Sequence, residues 1–184
     1  MRTNLPDVSG PATRTIDLVS AETTPFDAAS GHVLLASFIG AWSGSTRLWL
    51  DPAAPGEEAL IDLNAEAMLG GRWLRVTYRG VAAGNPHGGE MLLGFHKDAS
   101  AFEMAWVDSF HTGSAIMTFT GNSKDAGIVD LMSSYVAGGQ RWGWRTAISS
   151  PLPDHLLIES FNISPQGEEM RALEARLTRL QPEV

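Results

Sequence analysis

Residues 34–51 read Leu34-Leu35-Ala36-Ser37-Phe38-Ile39-Gly40-Ala41-Trp42-Ser43-Gly44-Ser45-Thr46-Arg47-Leu48-Trp49-Leu50-Asp51, and the periodicity changes in the middle of the stretch. Before Gly40, Leu34, Leu35, Phe38 and Ile39 recur at the spacing of one helix face. After it, Trp42, Gly44, Thr46, Leu48 and Leu50 alternate with Ser43, Ser45, Arg47, Trp49 and Asp51, which is how a half-buried strand reads. Gly40 suits the bend between them because it carries no Cβ. A short helix starting at Asp27 or Ser30 should therefore cap the end of a sheet whose first strand begins near Gly40. Pro52-Ala53-Ala54-Pro55-Gly56 ends that strand.

Downstream, short alternating runs are separated by turn chemistry. Residues 60–69 alternate Ile61, Leu63, Ala65, Ala67 and Leu69 against Asp62, Asn64, Glu66 and Met68, then break at Gly70-Gly71. Residues 72–81 return with Leu74, Val76 and Tyr78 on one face, and Gly84-Asn85-Pro86 reads as the next breaker. Further strands are expected over residues 90–96, 101–109, 115–120, 127–136, 141–149 and 155–163. Residues 168–180 are rich in helix formers, but Arg171, Leu173, Ala175, Leu177 and Arg179 also alternate with Ala172, Glu174, Arg176 and Thr178. We read a strand, because a closed barrel needs a last strand to pair with the first and remove both edges. Links this short forbid the crossovers that parallel strands require. The expected fold is all-β: an antiparallel up-and-down barrel of about ten strands with a short helix before the first, holding one small guest.

With 184 residues, 43% of them hydrophobic, 19 Gly and 10 Pro, the chain suits one compact domain rich in turns. We take residues 26–184 as that domain and residues 1–25 as a flexible arm without the apolar core of a signal peptide. The absence of Cys removes disulfides and thiolate chemistry, and leans towards a reducing, cytoplasmic setting. A net charge of −8 opposes binding to nucleic acid. Nothing after the arm is long and apolar enough to span a bilayer as a helix, so no membrane partner is expected. Neither a phosphate-binding Gly loop nor a Gly-x-Ser-x-Gly elbow is present.

Chemistry concentrates in Trp106-Val107-Asp108-Ser109-Phe110-His111. Asp108 and His111 can form a general acid/base pair or supply two metal ligands. The commoner reading, which we favour, is that Asp108 and Ser109 hydrogen-bond the backbone of the turn that leads to Thr112-Gly113 and that His111 is solvated. The five histidines, at 32, 87, 96, 111 and 155, have no metal-ligand spacing, and no metal is expected. Met91, Met104, Met117 and Met132 fall in four successive strands; flexible thioethers fill cores and also line adaptable pockets. Trp142 and Trp144 share a face, and Trp49 and Trp73 can offer a homodimer surface.

Residues 35–44, then Leu69-Gly70-Gly71-Arg72-Trp73-Leu74, Leu93-Gly94-Phe95 and Trp106-Val107-Asp108-Ser109, in this order, resemble the bacterial family of unknown function numbered 1579, over residues 30–180. The resemblance implies a lipocalin-like, calycin-type barrel related in shape to fatty-acid-binding proteins and haem-binding nitrobindins. It implies that Trp42 plugs one end and that Arg179 or Arg176, from the last strand, lies over it, making Gly40, Trp42 and Arg179 a structural signature. No cofactor is expected, although a nitrobindin-like plan would use one imidazole, from His96, His111 or His155, as axial ligand to haem.

The favoured function is binding of a small apolar or amphipathic molecule inside the barrel, with Glu66, Met104, Trp106, Asp108 and Met117 as contacts and Glu159 as a further polar group. The alternatives are an isomerase, cyclase or lyase using a desolvated pocket carboxylate, and a filled barrel acting as a homo-oligomeric interaction module.

Overall fold

The computed structural model describes residues 30–124 and 127–181; the expected arm over residues 1–25 lies outside the described residues. Helix α1 (Ser30–Ser37) is followed by ten strands: β1 (Gly40–Leu48), β2 (Glu57–Met68), β3 (Trp73–Ala82), β4 (Asn85–His96), β5 (Ala101–Asp108), β6 (Met117–Lys124), β7 (Ile128–Ala137), β8 (Gln140–Ser149), β9 (His155–Ile163) and β10 (Glu169–Arg179). Each is antiparallel to its neighbours in sequence, and β10 pairs with β1 to close the barrel. The final segment is therefore a strand, as the closure argument requires. No helix among the described residues is long and apolar enough to cross a membrane.

The helix closes one end. Leu35 and Phe38 are buried, and Gly31 packs so tightly on Phe95 that a Cβ there would overlap the ring. Trp42 is fully buried and donates from Nε1 to the Phe38 carbonyl at 3.0 Å. Arg179, its register partner on β10, places its guanidinium 4.0 Å from the Trp42 ring centroid. The same guanidinium donates to the carbonyls of Ser37 and Ile39 and, through Nε, to Asp154 at 2.9 Å. Gly40 has φ of +143°, and a side chain there would collide with Arg179. Arg176, the other candidate, instead lies outside, 2.8 Å from Glu174.

Two sequence expectations are corrected. Pro86 does not end a strand: Ala83-Gly84 is a two-residue turn with positive φ at both positions, and β4 starts at Asn85. Pro86 faces Val81 on β3, while the β4–β5 ladder begins only at Gly89, so its missing N–H removes no bond towards β5. On β10 the register shifts between Arg171 and Leu173. This bulge lets Leu173 line the interior while Arg171, of the same parity, reaches Glu159 and Glu174.

One ladder is incomplete. β6 and β7 pair only from Thr120↔Met132 to Lys124↔Ile128. Beyond that, Met117, Thr118 and Phe119 pair with β5 alone, and residues 133–137 with β8 alone. The wall is thus zipped at the helix end and split towards the opposite, open end.

Candidate functional site

The open end carries an acceptor surrounded by donors. Asp108 ends β5 pointing inward with its side chain fully shielded from solvent. Oδ1 accepts from the backbone N–H groups of Phe110 and His111, both at 2.6 Å, and lies 3.2 Å from His111 Nδ1. Oδ2 accepts from the Tyr78 hydroxyl and lies 3.6 Å from His87 Nε2. Tyr78 in turn accepts from Trp106 Nε1 at 2.7 Å. Thr112 closes the turn, its hydroxyl bonded to both backbone groups of Asp108. Gly89 leaves room for the Tyr78 hydroxyl, which a Cβ would overlap.

Burial pushes the Asp108 carboxyl up, yet the hydrogen bonds from His111, Tyr78 and the His111 N–H outweigh it and hold the group well below the usual carboxylate range. The Tyr78 hydroxyl is pushed well above its ordinary value by burial and by the Asp108 charge. Asp108 is thus an ionised anchor that holds the loop over residues 109–112. Two imidazole atoms are left over: His87 Nδ1 and His111 Nε2 are buried without a hydrogen-bond partner, as is Thr46 Oγ1. Contrary to the sequence expectation, His111 is not solvated: its side chain is largely buried, and ring packing holds it among Trp106, Phe110 and Trp144, with centroids 5.4, 4.9 and 5.6 Å away.

The expected roomy interior is absent. Between Tyr78, His87, Asp108, Thr146 and Ser160 the cavity measures about 30 Å³, because Trp106, Met91 and Met104 fill the lumen. That is space for a water or two. The large concavity, about 930 Å³, lies instead at the split between β6 and β7. Residues of both sheet faces border it: Met117, Ser133, Tyr135 and Trp144 from the inner set, and Thr118, Met132 and Ser134 from the outer. A slot through the wall requires this mixture, since a groove on one face would use a single parity. Tyr135 is fixed at the slot by a 2.6 Å bond to Asn162.

Of the contacts expected from sequence, Met104, Trp106 and Asp108 meet around the small cavity, and Met117 borders the slot. Glu66 stands apart: it is exposed on the outer face, 3.7 Å from Arg75, because its parity opposes Ala65 and Leu63. Glu159 is also outside, 3.4 Å from Arg171. Tyr78 and His87 belong to the site but were not anticipated; an inward Tyr on an apolar strand face was a legible sign that a polar partner stood opposite. Trp49 lies under the Arg171 guanidinium at 5.6 Å, and Trp73 covers Gly94, so each outer-face indole has a partner within the chain. The described residues contain no group of three or more acidic or His side chains placed to hold a metal.

Solved structures share the shape. The barrel matches the crystal structure of Rv2717c from M. tuberculosis with a TM-score of 0.58 at 19% identity, over 84% of this chain and 100% of that one. It matches the S-type phycobiliprotein lyase CPES from Guillardia theta with a TM-score of 0.53 at 15% identity, over 84% of this chain and 95% of that one. A search of curated proteins finds no significant match. A family model covers residues 27–179, which include the helix, all ten strands and the slot, and the chain therefore belongs to the family described as Protein of unknown function (DUF1579).

Proposed function

We propose that the protein binds one small apolar or amphipathic molecule at its open end, in the slot between β6 and β7. The observation that carries this reading is the contrast of volumes: about 930 Å³ in the slot against about 30 Å³ in the lumen. The larger value falls within the roughly 300–1,000 Å³ typical of small-molecule sites. Met117, Tyr135 and Trp144 supply adaptable and aromatic surface, and Ser133, Thr118 and Asn162 supply polar groups that orient a guest. The barrel shape shared with a protein named a phycobiliprotein lyase is compatible with this reading and carries no chemistry at 15% identity.

The state of Asp108 favours binding over the enzyme alternative. A carboxylate that accepts hydrogen bonds from Tyr78, His111 and two backbone N–H groups, and is held below the ordinary range, is a poor proton acceptor. A haem-binding version rests on His111. His96 and His155 sit at the closed end engaged with turn backbone, whereas His111 borders the slot and has an unpartnered Nε2.

Native mass spectrometry of protein purified from cells, repeated under denaturing conditions, tests the reading. An excess mass of a few hundred daltons that is lost on denaturation is the expected result. A bare mass, together with no binding of amphipathic probes, overturns it. A haemin titration without a Soret shift removes the haem version.

A further inference from the structure

We infer that the guest of the slot is an amphipathic anion, with its charged head on Arg141 and its apolar body against Met117, Tyr135 and Trp144. This rests on the binding reading above and adds the charge and orientation of the ligand. The chain carries 21 acidic against 13 basic side chains, so a random stretch of surface should hold carboxylates. Yet among the described residues no Asp or Glu lines the slot, and the sole Lys or Arg among them there is Arg141. Arg47, Arg75, Arg145, Arg171, Arg176 and Arg179 each pair with a carboxylate. Arg141 is exposed and, among the described residues, makes no hydrogen bond or ion pair.

A cation left unpaired in an acidic protein, at the rim of a concavity cleared of carboxylates, creates a local positive field inside a negative one. Its place gives direction. Arg141 follows the Gly138-Gly139 turn opposite Val136, on the outer set of β8, whereas Trp144 belongs to the inner set. A guest lying through the slot would keep its anionic head at the solvent side of the wall and its body inside, where desolvating a charge would be costly.

Two fluorescent probes with one skeleton separate charge from apolar binding: 1-anilinonaphthalene-8-sulfonate, which is anionic, and N-phenyl-1-naphthylamine, which is neutral. Titrations of the full-length wild type, Arg141→Gln, Arg141→Lys and Arg79→Gln are compared. Arg79 is the control, an exposed arginine on β3, away from the slot and likewise without a partner among the described residues. Arg141→Gln should weaken the sulfonate about tenfold and leave the neutral probe within about twofold, the scale of one charge-assisted contact. Arg141→Lys should recover most of the loss, and Arg79→Gln should change nothing. An Arg141→Gln variant that weakens both probes equally, or neither, overturns the anion assignment while leaving the slot a binding site. Failure of the wild type to bind either probe overturns both.

Discussion

The two ends of this barrel use buried polar groups in opposite ways. At the closed end the Trp42 indole N–H reaches Phe38, and Arg179 satisfies the carbonyls of Ser37 and Ile39 while facing Asp154. At the open end Asp108 is saturated, but His87 Nδ1 and His111 Nε2 remain buried without partners. An unpaired buried polar group costs about 1–3 kcal/mol, so such atoms are tolerated where something else compensates. The first end is built for stability. The second gives up some stability, the pattern expected of the binding site proposed above.

The sharpest way to break this contrast is Trp42→Ala. Removing a fully buried indole should cost about 3–5 kcal/mol, read as a lowered urea midpoint, while the folded fraction keeps its probe affinity. A loss of affinity with unchanged melting would reverse the two roles. Asp108→Asn comes next, at about 3 kcal/mol, since it weakens one acceptor serving several donors. Its pH dependence has a definite sign. The Asp108 carboxyl is held below its unfolded value, so its contribution is fully present above about pH 4 and fades as the pH falls through the folded value. The gap between wild type and variant should therefore be constant near neutrality and close in acid, as denaturant melts at several pH values will show.

Tyr135→Ala should show the opposite signature to Trp42→Ala: a stability loss of about 1 kcal/mol but about tenfold weaker probe binding, because this ring lines the slot and is only half-buried. Arg179→Gln should cost about 0.5–2 kcal/mol for the cation-π contact, without change in binding. Glu66→Gln closes the series, within about 0.5 kcal/mol and silent in binding, as befits an exposed ion pair.

Much of the closed end was legible in the residues. Gly40 and Trp42 marked the passage from helix to strand, and the alternation of Leu173, Ala175, Leu177 and Arg179 predicted a last strand against the first. These features are local, or follow from the need to close a sheet. The open end was less legible. Reading Gly84-Asn85-Pro86 as a break removed His87 from its strand, so its inward direction could not be inferred. The Asp108 turn was anticipated; the Tyr78 hydroxyl and the His87 ring beside it depend on register between β3, β4 and β5. Nor does any residue of β6 or β7 announce where their ladder stops, because pairing is a property of two strands and not of either one.

The split ladder also changes how the molecule meets other chains. A closed barrel has no sheet edge, but here residues 117–119 and 133–137 form two short edges facing each other across the slot. Half of their amides lack a strand neighbour and should exchange with deuterium far faster than those of β2 or β3. Such edges can template the addition of a foreign strand, and Ser133, Ser134 and Thr118 keep them hydrated and unattractive to it. A bound guest would slow that exchange and shield the seam, so occupancy of the slot would also protect the protein against aggregation.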